Sequence, residues 1–107
     1  MLFIGYDASM RDEIREFLKD HDGEAFFSDT VEETLQIMHS KNFGTVVLNL
    51  HRLEDAAMLR FINLHYQDTH VLVMPGRQLQ EAVPALANGN YDLLREPFML
   101  EELNRFL

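Results

Sequence analysis

Apolar positions along the chain alternate between short continuous runs and longer stretches with helical spacing. Leu2-Phe3-Ile4 is a run stopped at Gly5, which predicts a strand. Ser9 followed three residues later by Asp12 is an N-cap signal, and Met10, Ile14, Phe17 and Leu18 form one stripe of a helix ending near Gly23. Arg11, Glu13, Arg15 and Glu16 occupy its other face. Ala25-Phe26-Phe27 predicts a second strand. Thr30 and Glu33 then form a capping box for a helix with the stripe Val31, Leu35 and Met38, closed by Asn42 and Gly44. Thr45-Val46-Val47-Leu48 is apolar without alternation, as expected of a parallel strand covered on both faces. Ala56, Leu59, Ile62 and Tyr66, with Met58, Phe61 and His65 beside them, predict a third helix. Val71 to Met74 is another buried strand, ended by Pro75-Gly76. Gln78 to Asn88 predicts a fourth helix with Leu79, Val83 and Leu86 inward, shortened or bent by Pro84. Tyr91 to Leu94 is the fifth strand. Phe98 to Leu107 is the last helix, with Leu100, Leu103, Phe106 and Leu107 apolar.

Strands alternating with helices through short connections argue for βαβ units and a parallel sheet between two helix layers. No repeat, linker or low-complexity tract interrupts them, so residues 1–107 are expected to form one domain. In such sheets ligands bind beyond the carboxyl ends of the strands, here Tyr6-Asp7, Asn49 to Leu53, Pro75 to Arg77 and Arg95 to Pro97.

Composition removes several function classes. With 9 basic and 18 acidic residues the net charge is −9, and no Lys/Arg stripe follows the chain, so this domain is not expected to bind nucleic acid by itself. The absence of cysteine excludes a disulfide framework, a thiolate zinc site and a thiol nucleophile, and fits a reducing, cytoplasmic setting. No apolar run reaches the ~20 residues of a membrane helix, and Met1 leads into a strand without a basic leader. No G-x-G-x-x-G follows Gly5, so a dinucleotide cofactor is not expected and Gly5 reads as a packing accommodation. His21, His39, His51, His65 and His70 show no ligand-type spacing, and only His51 falls near the candidate edge. Met10, Met38, Met58, Met74 and Met99 read as core filler.

The stretch Ala82-Val83-Pro84-Ala85-Leu86-Ala87-Asn88-Gly89-Asn90-Tyr91-Asp92-Leu93-Leu94-Arg95-Glu96-Pro97-Phe98, followed by Leu100-Glu101-Glu102-Leu103, resembles the last third of the receiver domain of two-component response regulators. The element order of the whole chain is similar as well. The resemblance implies a doubly wound (βα)5, flavodoxin-like three-layer α/β sandwich whose parallel sheet runs in the order 2-1-3-4-5. In receivers an acidic pair after the first strand and an aspartate after the third hold Mg²⁺. That aspartate takes up the phosphoryl group, aided by a hydroxyl after the fourth strand and a lysine before the final proline. These roles fall on Tyr6 and Asp7, Asn49, Pro75 and Glu96. Asn49 has no carboxylate nucleophile, Pro75 no hydroxyl, and Glu96 the opposite charge. The aromatic of the receiver switch falls on Leu93, and the loop after Asn49 lacks the family's proline and glycine.

The resemblance therefore implies a pseudo-receiver with no cofactor and no enzymatic activity. No metal is expected. Asp7 with Glu96 is the one pairing that could hold a cation, against a solvated pair or one neutralised by Arg52 or Arg77. The Glu96-Pro97 bond is expected to be cis, as it usually is in receivers. Protein contact remains as the function. The receiver interaction face corresponds to Gln78 to Leu107, with Tyr91, Leu93, Arg95, Glu101 and Arg105 as the candidates. The expected partner is a second copy or an attached output domain, in signal transduction and transcription regulation. The alternative is a small-ligand sensor using the former phosphorylation pocket; a phosphorylated receiver using an unorthodox residue is the third reading.

Overall fold

A computed structural model describes residues 1–51, 55–76, 79, 83, 91–94 and 99–106. Five strands, β1 Leu2–Ile4, β2 Phe26–Ser28, β3 Thr45–Leu50, β4 His70–Pro75 and β5 Asp92–Leu93, form one sheet. All four pairings are parallel and the order is β2-β1-β3-β4-β5, so the expected flavodoxin-like α/β topology is the one observed. Among the described residues three α-helices accompany it, α1 Ala8–Asp20, α2 Val31–Ser40 and α3 Ala56–His65, followed by a closing 3₁₀ segment, Leu100–Phe106.

The unbroken apolar runs of β3 and β4 have the cause the pattern suggested. Val46, Leu48, Leu50, Val71 and Val73 pack on one side with Met38, Leu59, Ile62 and Val83, while Val47, Leu72 and Met74 pack on the other with Ile14, Leu18, Leu94 and Leu103. Both strands run further than their apolar cores: β3 takes in Asn49 and Leu50, and β4 takes in Pro75 opposite Leu50.

Four local expectations need correction. α1 is capped by Asp7 rather than Ser9, because the Asp7 carboxylate accepts the Met10 N–H at 2.9 Å and so starts the helix two residues earlier. α2 is rotated: Val31 is 45% exposed, and Thr34 takes the inward place with Met38. Thr34 can be buried because its hydroxyl is satisfied by Ser28 Oγ at 2.7 Å and the Thr30 carbonyl at 2.8 Å. The last helix winds as 3₁₀, burying Leu103 with Leu100 and Phe106 half-buried beside it. Met99 is 59% exposed, so it is not core filler, whereas Met38, Met58 and Met74 are buried. Most of the fourth helix lies outside the described residues; Val83 is buried and its N–H donates to the Leu79 carbonyl at 3.1 Å.

Candidate functional site

The carboxyl edge of β1, β3 and β4 brings together Tyr6, Asp7, Asn49 and Pro75 of the residues the sequence singled out, but their side chains diverge. Gly5 adopts φ 86° so that the chain can leave β1 toward α1. An added Cβ would stand 3.4 Å from the Asn49 carbonyl oxygen, an ordinary contact, so the positive φ rather than crowding against β3 calls for glycine here. Tyr6, at one position of the former acidic pair, turns into the core. It is 3% exposed and meets Phe3 edge-on with ring centres 5.8 Å apart. Its hydroxyl has no hydrogen-bond partner, and burial pushes the phenol above its usual range. Asp7 is exposed, with one carboxylate oxygen engaged by the α1 cap.

Asn49 occupies the acceptor position and bridges two strands. Its Nδ2 donates to the Gly5 carbonyl at 2.8 Å, while its buried Oδ1 has no partner. Pro75 is buried within the β4 ladder, and the following Gly76 N–H donates to the Leu50 carbonyl at 2.9 Å. His51 lies against that turn; a Cβ on Gly76 would stand 3.0 Å from its Nδ1.

Three residues that sequence reasoning missed complete this edge. Arg11 donates from Nε to the Tyr6 carbonyl at 2.9 Å and pairs through Nη2 with Asp29 at 2.8 Å. Asp55 accepts the His51 N–H at 3.1 Å. Asp29 and Asp55 follow β2 and precede α3, so the strand-edge rule that selected Asn49 would have found Asp29 had β2 been extended to Ser28. Asp29 and Asp55, together with Gly5, Asn49 and His51, line a cleft of 140 Å³. Neither Tyr6 nor Asp7 lines it. Among the described residues no group of three or more histidines and carboxylates is placed to hold a metal ion. Glu96, Arg52, Arg77 and the Glu96-Pro97 bond lie outside the described residues.

On the candidate interaction face, Tyr91 and Leu93 are half-buried against the cluster on the α3 side, whereas Glu101 and Arg105 are exposed. Arg95 lies outside the described residues. At the foot of β4, His70 Nε2 pairs with Asp92 at 2.7 Å and its ring stacks on Phe106 with centres 5.3 Å apart. A larger cleft, 440 Å³, opens at the amino ends of β3 and β4, lined by Met38, Phe43, His65, Tyr66 and Asp68 among others. No helix among the described residues is long and apolar enough to cross a membrane.

A scan of the chain against protein-family models gives no match, and a search of curated protein sequences likewise gives none.

Proposed function

We propose that this chain is a pseudo-receiver: a receiver-like domain of two-component signalling that lacks the phospho-acceptor, is not an enzyme, and works by protein contact in the cytoplasm. It would pair with a second copy or restrain an attached output domain, in transcription regulation. The observation that carries this reading is the Asn49 amide, which donates to the Gly5 carbonyl and so fastens β1 to β3 at the acceptor position. An aspartate there would set a carboxylate against a carbonyl oxygen, a repulsive contact in place of a hydrogen bond. Pro75 in the β4 ladder and the Tyr6 phenol in the core point the same way. The sensor reading draws less support. The described cleft at this edge, 140 Å³, is below the ~300–1,000 Å³ of ordinary ligand pockets.

The test is exposure of the full chain to Mg²⁺ with acetyl phosphate or a beryllofluoride mimic. Intact mass and amide chemical shifts should stay unchanged, and Asn49→Asp should not bring phosphorylation to an ordinary receiver's rate, since no metal pair or lysine is restored with it. A stable acyl phosphate on the wild-type chain would overturn the reading. Sedimentation equilibrium checks the contact face: a dimer should be weakened by Arg105→Glu.

A further inference from the structure

The closing segment carries two helical registers in one sequence. Its seven residues, Leu100–Phe106, wind as 3₁₀, whereas such runs rarely exceed about four residues. The winding suits its apolar spacing, because Leu100, Leu103 and Phe106 recur at every third position and eclipse one another at about 120° per residue. An α-helix advances about 100° per residue, so between Leu100 and Phe106 the two windings differ by about 120°. In the α register the stripe becomes Leu100, Leu103 and Leu107, at i, i+3 and i+7, and Phe106 leaves it.

The segment's start already suits α winding. The Glu102 carboxylate accepts the Met99 N–H at 3.0 Å, the back-reaching half of a capping box. At its other end Phe106 is held by the His70 ring, itself paired with Asp92 of β5, and by the Arg105 guanidinium 5.2 Å from the Phe106 ring centre. Leu103, fully buried, is common to both stripes.

We infer that Leu100–Phe106 is a two-state element, a 3₁₀ form with Phe106 docked on His70 and an α form in which Phe106 leaves the stripe and is released. The axial rise drops from about 2.0 to 1.5 Å per residue, so Phe106 is drawn about 3 Å along the axis as it turns.

NMR of the full chain tests it. Wild type should show αN(i,i+2) contacts through residues 100–106 and a His70–Phe106 ring contact. Phe106→Ala should replace them with αN(i,i+4) contacts. Should that variant fail to fold, Asn104→Ala decides the matter: the site is exposed, and the better helix former should raise the α-to-3₁₀ ratio about two- to threefold. Wild type already α-helical without the ring contact, or an Asn104→Ala variant with the wild-type ratio, overturns the inference.

Discussion

α1 and the closing segment cover the same side of the sheet, and each sends a fully buried leucine into one cluster, Leu18 from the first and Leu103 from the second. They differ at their ends. α1 has 13 residues, a side-chain cap from Asp7, and a C-terminus in which the Gly23 N–H reaches the Leu18 carbonyl at 2.6 Å and the Asp22 N–H reaches Lys19 at 3.3 Å, a Schellman closure. The closing segment has seven residues, one side chain reaching back to its start, and a different winding. Burial of one leucine is therefore compatible with either geometry, and the satisfied termini hold α1 in the α form.

The largest effect that separates the two is a pair of truncations. Leu18→Ala should cost about 3–4 kcal/mol, because a doubly capped helix cannot move in to fill the void, while Leu103→Ala should cost nearer 2 kcal/mol as the closing segment rewinds around the gap. Urea unfolding monitored by circular dichroism measures both. Equal losses, or the reverse order, would show that the closing segment is as rigid as α1.

The caps come next. Asp7→Ala removes the acceptor for Met10 N–H and should cost about 1 kcal/mol, against a few tenths for Glu102→Ala in the closing segment. Amide exchange sharpens this: Asp7→Ala should unprotect the first turn of α1 while the strands remain protected. If Glu102→Ala proves the costlier, the closing segment depends on its cap more than α1 does.

Much of this contrast was legible in the sequence, and the reasons differ element by element. Val46 to Leu48 and Val71 to Val73 announce buried parallel strands because both sheet faces are covered, a property that acts on every residue in the run. Asp7 was misread because Ser9 is an equally good cap chemically; which one starts the helix depends on where β1 ends, set by the positive φ of Gly5. The apolar stripe Val31, Leu35 and Met38 leaves out Thr34 because what lets a hydroxyl face inward, Ser28 and the Thr30 carbonyl, comes from the preceding strand and turn. The closing apolar residues contain a stripe for each winding, Leu100, Leu103 and Phe106 for 3₁₀ and Leu100, Leu103 and Leu107 for α, so the pattern alone does not choose between them. The Asn49 bridge to Gly5 joins positions 44 apart, so no local pattern carries it.

Tyr6 lies in the same cluster as Leu18 and Leu103, and its buried hydroxyl is unpartnered. Tyr6→Phe should therefore stabilise the fold by up to about 1 kcal/mol, since a desolvated donor is removed and the ring stays. The sign with pH follows from the raised phenol. Below the ordinary phenol pKa of 10.0 both folded and unfolded chains keep the proton; above it only the unfolded chain loses it, so stability falls as pH rises. Tyr6→Phe should reduce that alkaline slope. An unchanged slope between pH 9.5 and about 11 would mean that the hydroxyl finds solvent or a partner in solution.

The smallest gain lies at the α1 terminus. Asp22 has φ 57°, the left-handed conformation at the C′ position, where glycine normally stands because a Cβ is strained there. The sequence has its glycine one residue later, at the position that donates to Leu18, so the strained place is left to an aspartate whose negative charge also faces the negative end of the helix dipole. Asp22→Gly relieves both, offset in part by the greater freedom of glycine in the unfolded chain, for a net gain of about 0.5 kcal/mol and a melting temperature about 2–4 °C higher. Asp22→Asn separates the two causes, since asparagine keeps a side chain tolerant of this backbone and drops only the charge. If Asn matches Gly, the dipole dominates; if only Gly gains, the strain does. Loss of stability in both would mean that the aspartate itself holds the Schellman turn, and that α1 owes its rigid end to that side chain rather than to its backbone bonds.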